Sequence, residues 1–120
     1  MKNLQSYCVK ENQTVKEAIS IIQGNLSRCV MVLSEKNKVV GAFSEGDALR
    51  TILQDIDIHS SLKKVINPSF RYLNNKDLTE AYELIKKYGI TLIPVIDSDF
   101  NLKDIITIYD VLEQLDFNRR

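Results

Sequence analysis

The sequence predicts an α/β (α+β) fold made of two copies of one β-α-β-β-α unit, related by a pseudo-twofold axis and packed through their sheets. The first observation is an echo. Gly41-Ala42-Phe43-Ser44-Glu45-Gly46-Asp47 and Asp104-Ile105-Ile106-Thr107-Ile108-Tyr109-Asp110 each carry a strand ending into a hydroxyl residue, with an aspartate three positions on at the start of a patterned helix. The second is the fixed offset. Ser44 and Thr107 lie 63 residues apart, as do Asp47 and Asp110, and the same shift carries Glu17-Ala18 onto Glu80-Ala81, Val32 onto Val95 and Leu49 onto Leu112 without a gap. The third is size: a unit of about 45 residues buries too little surface to stand alone, so the two copies must share a core.

Each element follows from local pattern. Residues 1–6 read as a loose lead-in, and Tyr7-Cys8-Val9 as a short strand. Thr14 with Glu17 forms a capping box, in which the hydroxyl takes an orphan helix amide and the carboxylate reaches back. Val15, Ala18, Ile19 and Ile22 then recur at helical spacing until Gly24-Asn25. Cys29 to Leu33 is a continuous apolar run of strand length, buried on both faces. A polar turn at Glu35-Lys38 leads to a strand from Val39 to Phe43. A helix follows from about Glu45 to Gln54, with Ala48, Leu49, Ile52 and Leu53 expected inward.

Residues 1–54 are thus the first unit and 55–70 a connector, in which Leu62, Val65 and Ile66 make a short helical turn closed by Asn67-Pro68. The second unit and its tail span 71–120. It repeats the order: a strand start at Arg71-Tyr72-Leu73, a helix capped by Asp77 with Leu78, Ala81, Tyr82 and Ile85 inward, and a stop at Tyr88-Gly89. Leu92 to Ile96 and Leu102 to Ile106 are strands joined by a turn at Asp97 to Asn101. Ile108 to Leu115 is the last helix, and 117–120 a tail or the point where a longer chain was cut.

Composition narrows the function. The chain has 120 residues, 44% of them apolar, and its 16 basic and 16 acidic residues cancel. No basic field draws in nucleic acid or an anionic membrane. No apolar run approaches the roughly 18 residues of a membrane span, and no signal sequence opens the chain, so a cytoplasmic location is expected. Cys8 and Cys29 have no metal spacing and fit buried thiols in a reducing compartment. His59 lacks the partners of a metal or catalytic site, and no Walker loop or nucleophile elbow occurs. The chain is expected to be no enzyme.

These features resemble a tandem pair of CBS domains, a Bateman module, from about Tyr7 to Leu115. The likeness rests on the Glu-Ala of each first helix, the strand ending Pro94-Val95-Ile96-Asp97 with its counterpart Met31 to Ser34, the strand after it, and the Gly-x-x-Ser/Thr-x-x-Asp junction. The sequence departs from the family at Met31, where proline is common, and at Asp104, where glycine is usual. The resemblance implies a regulatory module that binds an adenosine-type ligand (AMP, ADP, ATP or S-adenosylmethionine) between the copies, with no cofactor required. An ionised aspartate accepts from both hydroxyls of a ribose diol, and such charge-assisted bonds are the strong ones. One cleft would join Ser44 and Asp47 to Tyr72, Leu73, Thr91 and Ile93; the other would join Thr107 and Asp110 to Val9, Arg28 and Val30, with Arg28 on a phosphate.

Other readings of the same residues stay open. Hydroxyl then acid three positions later is also a capping pattern, and one residue can serve both ends. Arg28 can be a solvated surface charge, and Tyr72 and Tyr109 either packing aromatics or adenine platforms. The resemblance also implies a homodimer, in which Ala48, Leu49, Ile52, Val111, Leu112 and Leu115 supply the contact. A dimerisation scaffold with vestigial clefts is the alternative. Asp104 in the glycine position is similar to the CBS pairs that precede sugar-phosphate nucleotidyltransferases, which makes such an enzyme the expected regulated partner.

Overall fold

A 3-10 turn at Leu4–Tyr7 opens the computed structural model, which describes residues 3–118. Asn3 caps the turn through its side chain, and Leu4 and Tyr7 pack against the core at the seam between units, so residues 3–6 of the expected loose lead-in form a packed turn, while Met1 and Lys2 lie outside the described residues. Unit one continues with β1 (Cys8–Lys10), α1 (Val15–Gly24), β2 (Cys29–Leu33), β3 (Val39–Ser44) and α2 (Glu45–Leu53). A second 3-10 turn, Leu62–Lys64, lies in the connector. Unit two has α3 (Leu78–Tyr88), β4 (Leu92–Ile96), β5 (Leu102–Thr107) and α4 (Ile108–Asn118). The last helix therefore runs through two positions expected in the tail; the remaining two, Arg119 and Arg120, lie outside the described residues.

The caps form as the residue types dictate. Thr14 Oγ1 accepts from the Glu17 amide at 3.1 Å while Glu17 accepts from the Thr14 amide at 3.2 Å, completing the box. Hydrogen bonds from Gln13 and then Thr14 hold the Glu17 carboxyl below its ordinary range. Asp77 accepts from the Thr79 and Glu80 amides at the start of α3. Gly89 ends that helix at φ +66°, a left-handed turn that costs glycine nothing.

In unit one, β1 pairs parallel to β2 and β2 antiparallel to β3. In unit two only β4 and β5 make a ladder, antiparallel. The strand expected at Arg71-Tyr72-Leu73 shrinks to a single parallel bridge: the Leu73 amide donates to the Pro94 carbonyl at 3.0 Å and its carbonyl accepts from the Ile96 amide at 2.9 Å. Continuing that ladder backwards would need the Arg71 carbonyl to accept from residue 94, and proline has no N–H to give. Met31, the counterpart of Pro94, keeps its amide, and there the parallel ladder spans three residue pairs.

Each unit has its own core under its sheet, the first around Val15, Val30 and Phe43 and the second around Ala81, Ile93 and Ile106. A third core joins them: Met31 and Val39 of unit one pack with Leu92, Ile96 and Ile105 of unit two, sheet against sheet. The seam also carries directional bonds. The Val39 amide donates to the Phe100 carbonyl at 2.9 Å, and Thr91 Oγ1 donates to the Ser27 carbonyl at 2.5 Å.

Helix α2 corrects one expectation. Only Ala48 and Thr51 face inward, while Leu49, Ile52 and Leu53 are 57%, 52% and 80% exposed. A polar residue can take the inner face because Thr51 Oγ1 donates to the Asp47 carbonyl at 2.8 Å and so enters the core satisfied.

Candidate functional site

At the seam lies a cleft of about 490 Å³, walled by the starts of β2 and α2, the connector, and the α3–β4 turn. Its polar lining includes Ser27, Arg28, Ser44, Asp47, Asn67 and Arg71, and its apolar lining includes Met31, Ala42, Phe70, Ile90 and Pro94. A volume of this size suits a nucleotide-scale molecule.

Register puts the first group in place. Cys29 pairs with Ser44 across β2 and β3, and the Glu45 amide donates to the Arg28 carbonyl at 3.0 Å, so Arg28 is tied to the start of α2. Arg28 adopts φ +55°, a left-handed conformation rarely taken by an arginine. Asn25, almost fully buried, holds it there: its Oδ1 accepts from the Ser27 and Arg28 amides at 3.1 and 3.0 Å. Its Nδ2 donates to the Ser6 and Cys29 carbonyls at 2.9 and 3.2 Å. The Arg28 side chain pairs with Glu45 at 3.3 Å.

Ser44 and Asp47 form a capping box. Asp47 Oδ2 accepts from the Ser44 amide at 2.9 Å and its hydroxyl at 3.0 Å, while Ser44 Oγ accepts from the Asp47 amide at 3.1 Å. Asp47 Oδ1 accepts from Arg50. The capping role is therefore real, and Asp47 also lines the cleft. Thr107 and Asp110 repeat the exchange at 2.8 and 3.2 Å.

Of the residues expected in ligand contact, the structure gathers Ser44, Asp47, Arg28 and Thr91 around this one cleft. Arg28, grouped by sequence with Thr107 and Asp110, therefore lines the Ser44 side. Val9, Val30, Leu73 and Ile93 are core side chains, and Thr107 is buried. Tyr72 is exposed and packs its ring edge-on to Phe100, with centroids 5.6 Å apart. Asp110 lines a shallow depression with Lys76, Leu78, Glu113 and Gln114. The two sides differ in bulk: Ile105 and Tyr109 stand where the Ser44 side has Ala42 and Gly46, and the Tyr109 hydroxyl reaches the Leu26 carbonyl at 3.4 Å.

Sequence reasoning missed Asn67, Phe70, Arg71 and Tyr88. Asn67 lies in the connector, where no repeat partner exists to flag it, while Phe70 and Arg71 match Tyr7 and Cys8 at the repeat offset, where Arg71 falls opposite a residue of a different chemical type. Arg71 lays its guanidinium over the Tyr88 ring, 3.9 Å from the centroid. Cys29 also borders the cleft. Both cysteines are free and half-buried, less enclosed than expected; burial pushes the Cys29 thiol up to about 12, with Asp47 adding to the effect, and the Cys8 thiol to about 11. Among the described residues no cluster of three metal-ligating side chains occurs, and no helix is long and apolar enough to cross a membrane.

Two α/β units sharing a core, with a polar cleft on the seam beside a Ser-x-x-Asp cap, define a tandem α/β repeat module. The CBS domain family pattern matches residues 3–54 and again 63–116, and the chain belongs to that family as a tandem pair. Homoserine O-acetyltransferase of Methanobrevibacter ruminantium is 30% identical over 97 residues, which is 80% of this chain and 19% of that protein. The chain spans 66% of an uncharacterised 17.7 kDa protein of Acidianus ambivalens, at 26% identity. Among solved structures, CBSX2 in complex with AMP aligns with a TM-score of 0.79 at 20% identity, over 94% of this chain and 89% of that one. A CBS domain pair in complex with 5-methylthioadenosine and S-adenosyl-L-methionine aligns at 0.75 and 18%, over 94% and 89%.

Proposed function

We propose that the Ser44 cleft binds an adenosine-type nucleotide and that its occupancy favours one arrangement of the two units, so regulating an attached or associated protein. The observation that carries this is the meeting of Ser44, Asp47, Arg28 and Thr91 around a nucleotide-sized cavity on the seam. Asp47 takes the ribose hydroxyls by exchanging the exposed Arg50 for them, while its other oxygen goes on capping α2. Ser44 supports it, Arg28 meets a phosphate, and Thr91, Leu92 and Pro94 line the cleft from the second unit. AMP and S-adenosyl-L-methionine in two proteins of the same fold agree with this ligand class. A ligand on the seam touches both units, so it can bias their relative position through its differential affinity for two arrangements. Thr107 and Asp110, with Val9 and Val30 behind them, are the second and more crowded place in this proposal.

Titration calorimetry with AMP, ADP, ATP and S-adenosylmethionine tests it. Asp47→Ala is expected to weaken binding by about tenfold or more, the worth of a charge-assisted bond, and Asp110→Ala by much less. Absence of heat from all four at millimolar concentration refutes the reading.

A second reading has its own observation. Leu49 and Ile52 of α2 and Leu112 and Leu115 of α4 are all 40% exposed or more, which suits a homodimer contact. If the chain is a dimerisation platform with vestigial clefts, sedimentation gives a dimer that Asp47→Ala leaves intact and that no nucleotide alters. The regulated partner in either case lies outside this chain, a nucleotidyltransferase being the candidate that Asp104 suggests.

A further inference from the structure

We infer that Arg71 is the specificity-determining residue of the Ser44 cleft, selecting an adenosine-type ligand that carries a phosphate over one that is uncharged or cationic. This rests on the reading that the cleft takes adenosine-type ligands, and it adds what part of the ligand the cleft discriminates.

The argument is a charge balance. Three guanidinium groups lie in or beside the cleft, those of Arg28, Arg50 and Arg71, against two carboxylates, Glu45 and Asp47. Arg28 is paired with Glu45 at 3.3 Å, and Arg50 with Asp47. Arg71 has no acidic partner among the described residues; its contact is the Tyr88 ring. Lys87 approaches the same ring, 5.3 Å from its centroid, and adds a second positive charge without lining the cleft. The surplus at this end of the cavity is therefore cationic and sits on Arg71.

The ring contact leaves that surplus usable. A guanidinium drawn to an aromatic ring by cation–π attraction, here 3.9 Å from the Tyr88 centroid, keeps its N–H groups unspent, and a phosphate oxygen pair can accept two of them. Asp47 stands within the same lining and addresses a neutral diol. A ligand with a diol at one end and an anion at the other satisfies both. A nucleoside without phosphate leaves Arg71 unused, and a sulfonium would face it with like charge.

Calorimetry of the wild type, Arg71→Ala and Lys87→Ala with AMP, adenosine, S-adenosylmethionine and inorganic pyrophosphate tests the assignment. The wild type is expected to prefer AMP to adenosine, and Arg71→Ala to lower AMP affinity by about tenfold while leaving adenosine within about twofold. Lys87→Ala, equal in charge lost but outside the lining, should change AMP binding by less than about threefold. Equal weakening of AMP and adenosine by Arg71→Ala overturns the inference, as does an equal loss of AMP affinity in the two variants. Wild-type protein that binds adenosine as well as AMP overturns it while sparing the adenosine reading. Binding of pyrophosphate through Arg71 without any response to AMP or adenosine upholds the anion selection and overturns that reading, and no response to any probe overturns both.

Discussion

Replacing Gly41 in β3 should destabilise the protein through the connector. A Cβ built on Gly41 would stand 3.0 Å from the Asn67 carbonyl oxygen and 3.3 Å from both Cβ and Cδ1 of Ile66. The oxygen is main-chain and already engaged: the Ala42 amide donates to it at 3.0 Å, and the Asn67 amide donates back to the Ala42 carbonyl at 3.1 Å. A methyl group therefore pushes the connector away from β3 and stretches two backbone hydrogen bonds, each worth about 1 kcal/mol net. Against this stands a gain of about 0.4 to 1 kcal/mol from the stiffer unfolded chain. Gly41→Ala should cost about 1 kcal/mol, and Gly41→Val, whose branches leave the oxygen no room, about 2 to 3 kcal/mol. Urea denaturation measures the difference at constant m-value. Because Asn67, Phe70 and Arg71 wall the cleft, the valine variant should also bind nucleotide more weakly. The reverse change in unit two, Asp104→Gly, removes a surface contact with Lys76 at 3.5 Å and a hydrogen bond that Asp104 Oδ1 accepts from the Ile105 amide at 2.7 Å, and with the extra freedom of glycine in a strand should cost about 1 to 2 kcal/mol. Equal stability of Gly41→Val and wild type would refute the argument, since it would mean the connector does not lie where the glycine needs it.

Asn25→Ala strips four hydrogen bonds from a buried turn and should cost about 2 to 4 kcal/mol in the same assay, with Arg28 released from its left-handed conformation and ligand binding weakened as well. Cys29 and Cys8 predict the alkaline limb of stability. Both thiols ionise at about 12 and 11 in the fold against 9.0 when free, so the folded state holds their protons more tightly. Stability should be level in this respect below about pH 9 and fall as pH rises from there toward 12, because the unfolded chain ionises first. Chemical denaturation at pH 8 and pH 10.5 should show a smaller loss for Cys29→Ala than for wild type, and an equal loss would contradict the burial assigned to the thiol. The same burial predicts that iodoacetamide at pH 8 labels Cys29 far more slowly in native protein than in urea.

Helix and strand positions were legible because their causes are local. The Thr14, Ser44 and Asp77 caps act over three residues, and the apolar spacing of α1 and α3 is a property of one segment, so the sequence carries both. The repeat was legible for a related reason: two copies of one local pattern at one offset require a shared core, and Met31, Leu92 and Ile105 form it. Even the shortened strand at Leu73 had a visible cause in Pro94, whose missing amide ends a parallel ladder; the repeat logic concealed it by treating the two units as equal.

What the chain alone determined is thus the set of elements, their caps and their duplication, all fixed by contacts a few residues apart. Tertiary structure alone decided which side chains meet. It brought Arg28 to the Ser44 cleft through the pairing of Cys29 with Ser44, delivered Arg71 there from the start of the second unit, and turned Leu49 and Ile52 outward while Thr51 went in. Each of these depends on distances between segments tens of residues apart in the chain, and such distances are set by how the two sheets pack, which no local spacing encodes.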